Sequence, residues 1–111
     1  MPNDELSATR LLCADVLTRA VEPDGASAAL ATATVTLSEG EVEVGLWEAG
    51  PGTDTDTEAD EVFLVLSGAG SVTFDEDGSA IALRPGVLVH LREGDRTTWT
   101  VTERLRKLYL A

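Results

Sequence analysis

From residue 30 onward, apolar residues recur mostly at every second position, the period of a half-buried β-strand, and no helical stripe persists. Thr32, Thr34 and Thr36 alternate with Ala33, Val35 and Leu37, and β-branched threonine suits a pleated surface. After a turn at Ser38-Glu39-Gly40, the clearest strand runs over residues 41–48. It places Val42, Val44 and Leu46 on one face and Glu41, Glu43, Gly45 and Trp47 on the other. Ala49-Gly50-Pro51-Gly52 then breaks the sheet, and residues 53–60, where threonine alternates with carboxylates, read as a loop running into a strand. The apolar run Val62-Phe63-Leu64-Val65-Leu66 ends at Ser67-Gly68-Ala69-Gly70, with residues 71–74 as its hairpin partner and Asp75-Glu76-Asp77-Gly78 as an acidic turn. Residues 80–83, 87–91, 98–102 and 105–110 supply further short strands, separated by turns at Arg84-Pro85-Gly86 and Arg92-Glu93-Gly94-Asp95. Short strands at this spacing predict an all-β barrel or sandwich.

Residues 1–29 are patterned differently. Leu11, Leu12, Val16 and Leu17 suit either a helical turn or an edge strand, and Glu22-Pro23-Asp24-Gly25 is a turn under both readings. The expected organisation is a short N-terminal extension over residues 1–29, a strand or short helix packing on a barrel formed by residues 30–111. A chain of 111 residues is one domain, able to bury roughly 60–70% of its unfolded surface.

Charge narrows the partners. Eight basic residues against 20 acidic ones give a net charge of −12, which repels phosphate backbones and argues against a nucleic-acid partner. Arg92, Arg96, Arg104, Arg106 and Lys107 cluster near the C-terminal end, either within a solvated acidic surface or as a patch for an anionic ligand. The single cysteine, Cys13, excludes an internal disulfide and fits a reducing compartment. The chain opens Met-Pro-Asn-Asp-Glu, without a basic segment, and its longest strongly apolar run is residues 62–66. Neither a signal peptide nor a membrane span is expected, and the cytoplasm is the expected location.

Two segments carry a resemblance. Gly45-Leu46-Trp47-Glu48-Ala49-Gly50-Pro51-Gly52 followed by Glu61-Val62-Phe63-Leu64-Val65-Leu66-Ser67-Gly68 resembles the first cupin motif, in which a glutamate precedes a glycine by seven residues. Leu83-Arg84-Pro85-Gly86-Val87-Leu88-Val89-His90-Leu91-Arg92-Glu93-Gly94 resembles the second, a Pro-Gly turn, a strand and another glycine before an inward-facing position. Trp99, Arg106, Lys107 and Tyr109 are similar to the ending of small cupins of the ethanolamine-utilisation and ureidoglycine aminohydrolase kind. The resemblance spans about residues 30–110 and implies a single jelly-roll-like cupin barrel. Metal-binding cupins carry a His-x-His pair before the glutamate and a third histidine after the second glycine. Here Thr55 and Thr57 are assigned to the first pair and Thr97 or a neighbour to the third, leaving Glu61 alone of the usual ligands. Threonine hydroxyls are poor ligands for transition metals, so neither a metal nor another cofactor is expected.

The candidate residues follow. The resemblance points Glu61 into the barrel with Phe63 and Val65 beside it, and a desolvated carboxylate there suits acid/base work. Its alternative is a structural or rim carboxylate. His90, the only histidine, shares a strand face with Leu88, as a structural or surface residue or as a proton shuttle if that face lines the pocket. Trp47 and Trp99 either fill the core or line a pocket with Thr55, Thr57, Phe63 and Thr97. Asp54, Asp56, Glu58 and Asp60 superficially suggest a calcium loop, but its sixth position is Ala59 and its twelfth Val65, so a solvated acidic loop is expected. Three functions stand open. They are a metal-independent isomerase, cyclase or lyase with Glu61 as acid/base, a non-catalytic binding or accessory cupin, and a metalloenzyme using Glu61, His90 and an acidic residue. Open strand edges suggest a homodimer.

Overall fold

The computed structural model describes residues 2–111, with side chains from Leu6 onward. A helix, α1 (Pro2–Arg10), precedes eight strands: β1 (Glu22–Pro23), β2 (Ala33–Ser38), β3 (Val44–Ala49), β4 (Gly52–Thr57), β5 (Glu61–Phe74), β6 (Ala80–Leu83), β7 (Leu88–Leu91) and β8 (Arg96–Leu110). The described side chains of α1 are exposed. Among the described residues no helix is long and apolar enough to cross a membrane.

All pairings are antiparallel, and β5 and β8 organise them. The first half of β5 and the second half of β8 pair with each other, with β7 on one side and β3, β2 and β1 on the other. Their remaining halves pair again within a second sheet, flanked by β4 and β6. Two sheets sharing two long strands enclose one core, the open jelly-roll barrel of the cupin resemblance.

Two expected boundaries change. The expected hairpin at residues 67–70 is instead the middle of one continuous strand, β5, whose register shifts at Val65/Ser67, Ser67/Ala69 and Ala69/Gly70. The glycines mark bulges that bend the strand from one sheet into the other. Gly68 has φ +91°, and a Cβ there would strike the Arg104 carbonyl. Residues 53–57, expected as a loop, lie in β4, because the edge of β8 offers them a ladder of hydrogen-bonding partners.

The core consists of inward positions from both sheets, with Phe63, Val65, Val72, Leu83, Leu91 and Leu105 almost wholly buried. Each such leucine or phenylalanine contributes about 1.5–3 kcal/mol by leaving water. The irregular segment after α1 is held on the outer face of the sheet by Arg106, which donates to the carbonyls of Val16 and Arg19 at 2.9 and 2.7 Å. The same guanidinium meets buried Glu48 at 2.6 Å, as does Arg104. Two of the C-terminal arginines therefore serve internal pairing rather than an anion patch.

Candidate functional site

Registered neighbours on adjacent strands project to the same face. In β4, Asp54 opposes Trp99 and Asp56 opposes Thr97, while Thr55 opposes Thr98 and Thr57 opposes Arg96. Trp99 and Thr97 are buried inward positions, 4% and 0% exposed. The aspartates therefore take the barrel side of β4 and the threonines the outer side, one residue out of phase with the expected assignment. The space they border is a cavity of about 230 Å³ with walls from Trp47, Trp99, Glu58, Glu61 and Lys107. Thr55 reaches its rim, whereas Thr57 borders a separate outer groove with Arg96 and Asp75.

Glu61 opens β5 and pairs with Leu91, so its side chain joins Phe63 and Val65 on the inner face, as expected. Its Oε2 accepts a hydrogen bond from Lys107 Nζ at 2.6 Å. Lys107 lies on β8 between Trp47 of β3 and Val65 of β5, an inward row that leaves it only 5% exposed. Its ammonium sits 4.6 Å from the Trp47 ring centre, 4.5 Å from Phe63 and 4.9 Å from Trp99. Ring faces carry partial negative charge, and each such contact in a desolvated site is worth up to about 2 kcal/mol. The rings also pack on one another, with Trp47–Trp99 centroids 5.4 Å apart and Phe63–Trp99 centroids 5.6 Å apart. Trp47 and Trp99 are thus core and pocket wall at once. Phe63, expected to touch a ligand, is 0% exposed and packs beneath the lysine instead.

Glu58 belongs to the same site. Its Oε2 accepts from Thr97 Oγ1 at 2.6 Å and from Trp99 Nε1 at 2.9 Å. Its backbone continues the β4 ladder through Glu58 N to Asp95 O and Gly94 N to Glu58 O. Thr97 is therefore a support for Glu58 and does not reach the cavity as a ligand contact. The fourth wall comes from the segment between β1 and β2. Ser27 Oγ donates to Asp54 Oδ2 at 2.6 Å, and Thr32 Oγ1 donates to Asp24 Oδ1 at 2.6 Å. The Ser27 hydrogen bond leads the influences that hold Asp54 below the usual carboxylate range. At Asp24, burial acts upward and is outweighed by hydrogen bonds from Thr32, the Ala26 amide and Thr34.

His90 lies elsewhere. It pairs with Val62 on the outer face of β7, and its side chain is 54% exposed, with Nε2 3.7 Å from Asp60 Oδ1. Glu61 and His90 project to opposite faces, so neither a proton shuttle nor a metal set joining them is available. Among the described residues, no three His, Cys, Asp or Glu side chains are grouped to hold a metal ion. The metal site that the resemblance implies does not fit this mouth, which presents carboxylates without an imidazole and commits Glu61 to an ammonium.

Residues 34–109 match the family model of the EutQ-like cupin domain. The chain belongs to this cupin family. Solved structures agree on the cupin fold. The EutQ ethanolamine-utilisation protein of Salmonella typhimurium LT2 has a TM-score of 0.64 at 19% identity, over 72% of this chain and 68% of its own. A protein of unknown function from Rhizobium leguminosarum bv. viciae 3841 has a TM-score of 0.65 at 25% identity, over 78% and 84% of the two chains. The polyketide cyclase RemF from Streptomyces resistomycificus reaches 0.71 at 16% identity, over 89% and 77%. No curated protein matches this cupin.

Sequence reasoning missed Lys107 and Glu58 as site residues. Lys107 had a usable signal, since Leu105, Lys107 and Tyr109 continue the inward parity of Trp99 and Val101. Glu58 had none, because its place depends on how β4 registers against β8.

Proposed function

We propose that this cupin binds a small, partly apolar metabolite in the barrel mouth and acts on it as a metal-independent isomerase, cyclase or lyase with Glu61 as acid/base. The observation that carries the reading is the 2.6 Å pair of Glu61 and Lys107 on the wall of a cavity. Glu61 Oε2 is engaged, while Oε1 takes no hydrogen bond from the described residues. The free oxygen removes a proton from a carbon next to a carbonyl, the C–H electron pair passes into an enolate, and the proton returns to that carbon or, where a C=C bond lies beyond it, to the far end of that double bond, which then shifts. No electrons are lost or gained overall. The ammonium beside it stabilises the negative charge that gathers on the carbonyl oxygen meanwhile, and Trp47 and Trp99 supply an apolar wall. A positioned acid/base of this kind is worth about 10²–10⁴-fold in rate.

The test is solvent-deuterium incorporation into a panel of small carbonyl compounds, followed by NMR in D2O. Exchange catalysed by the native protein and lost in Glu61→Gln supports the reading. Saturable binding with identical exchange in both proteins would replace it with the second reading, a non-catalytic ligand-binding cupin.

A further inference from the structure

Seven of the chain's eight basic residues are arginine, and the buried carboxylate on the outer face, Glu48, is paired by two of them, Arg104 and Arg106. Arginine is the usual choice for such a pair, because its charge is permanent and its planar fork grips a carboxylate. The only lysine stands instead at the mouth, opposite Glu61. A lysine can do one thing there that an arginine cannot. Once it gives up a proton it has a lone pair and becomes a nucleophile. The parts for that step are in place. Lys107 lies on the cavity wall, and the rings of Trp47, Phe63 and Trp99 shield its Nζ from bulk water. Among the described residues its one hydrogen bond goes to the group able to take the proton, Glu61 Oε2 at 2.6 Å. An amine and a base within hydrogen-bond reach, in a water-poor pocket, form the arrangement of covalent catalysis.

Resting on the reading that the mouth acts on a small carbonyl compound, we infer that Lys107 captures an aldehyde or ketone covalently, as an iminium. The ammonium passes a proton to Glu61, and the amine lone pair attacks the carbonyl carbon while the C=O π pair moves onto oxygen. Glu61 gives its proton to that oxygen, takes a second from the nitrogen and delivers it to the hydroxyl. The hydroxyl leaves as water while the nitrogen lone pair closes the C=N bond. One ammonium and one carbonyl thus become one iminium and one water, with no change in oxidation state. The positive charge stays on the nitrogen, so the ring faces and carboxylate that hold the ammonium also hold the iminium. Glu61 ends as a carboxylate, ready to remove a proton from the adjacent carbon and leave a neutral enamine.

The test incubates the native protein at neutral pH with butanal and sodium cyanoborohydride, which reduces an iminium to a stable secondary amine. Free Nα-acetyl-lysine in the same tube is the reference amine, and peptide mass mapping locates the butyl group on the protein. Lys107 should label at least about tenfold faster than the reference, and at least about tenfold more slowly in Glu61→Gln than in the native chain, as the loss of a positioned acid/base requires. Labelling no faster than the reference, or unchanged in folded Glu61→Gln, overturns the inference. If deuterium exchange into carbonyl compounds persists in that event, the acid/base reading stands without the covalent step. If exchange is absent as well, both fall.

Discussion

At the scale of residues, the ion pair in the mouth is asymmetric. The Lys107 side chain is 7% exposed and that of Glu61 21%, so water can relieve a lone carboxylate far better than a lone ammonium. Glu61→Leu should therefore cost about 3 kcal/mol in denaturant unfolding and Lys107→Met nearer about 1 kcal/mol. Equal losses would mean that the two groups are solvated alike. Tyr109 provides a second check, being the only tyrosine. It packs over Gly45, where any Cβ would collide with its ring, and donates to Glu43 at 2.8 Å. Burial first, and then the hydrogen bond to Glu43 and its charge, push the phenol from 10.0 up to about 12. The folded state thus holds this proton more tightly than the unfolded state. The associated stability is complete below pH 10 and disappears as pH rises toward about 12. Ultraviolet titration should show negligible phenolate at pH 10 in the folded protein, and half-ionisation there would contradict the packing. Much of this scale was legible in the sequence. The inward direction of Glu61 came from the cupin resemblance, and alternation then set Phe63 and Val65 beside it and gave Trp99 the parity of Thr97. The partners that decide each role came from neither, because a hydrogen bond such as Trp99 to Glu58 joins positions far apart in the chain.

At the scale of elements, strand β5 turns on its glycines. Gly68 combines φ +91° with a close approach to the Arg104 carbonyl, whereas Gly78 has φ +75° in open space. Gly68→Ala should lower stability by about 3 kcal/mol or more and Gly78→Ala by about 1 kcal/mol, measured as shifts in the denaturant midpoint. Similar costs would show that the bulge is not sterically fixed. The sequence suggested a turn at this point because glycine is equally at home in hairpins and bulges, and only the length of β8 opposite reveals that β5 continues. Strand β4 was hidden for a related reason. Aspartate is depleted from strands, yet pairing along β8 outweighs that weak preference, and a shift of one residue exchanges Asp54 and Asp56 for Thr55 and Thr57 at the mouth. The wall between β1 and β2 should respond to acid. Asp24 and Asp54 lie below the ordinary value of 3.8, so the stability they contribute is present above it and is lost as pH falls through their depressed values. Amide exchange in residues 26–32 should accelerate on acidification below 3.8, and unchanged protection would mean that the Asp24 and Asp54 hydrogen bonds do not hold this segment.

For the whole molecule, the all-β fold class followed from alternation, and the presence of one histidine ruled out a three-imidazole mouth, but only the register of His90 with Val62 places that histidine on the outer face. The site's character did not follow from the sequence, since it arises where β3, β4, β5 and β8 converge. The homodimer expected from open strand edges is a further proposal that light scattering decides, with a dimer mass supporting it and a monomer mass removing it. The central claim is that the mouth is built around a caged, carboxylate-paired lysine, and Lys107 is the only lysine in the chain. Selective ¹⁵N-lysine labelling therefore reports on it without overlap. The account predicts one slowly exchanging ammonium resonance at neutral pH, with side-chain protons shifted upfield by the three rings and a marked change in Glu61→Gln. A solvent-averaged ammonium with unshifted protons, indifferent to Glu61, would contradict it.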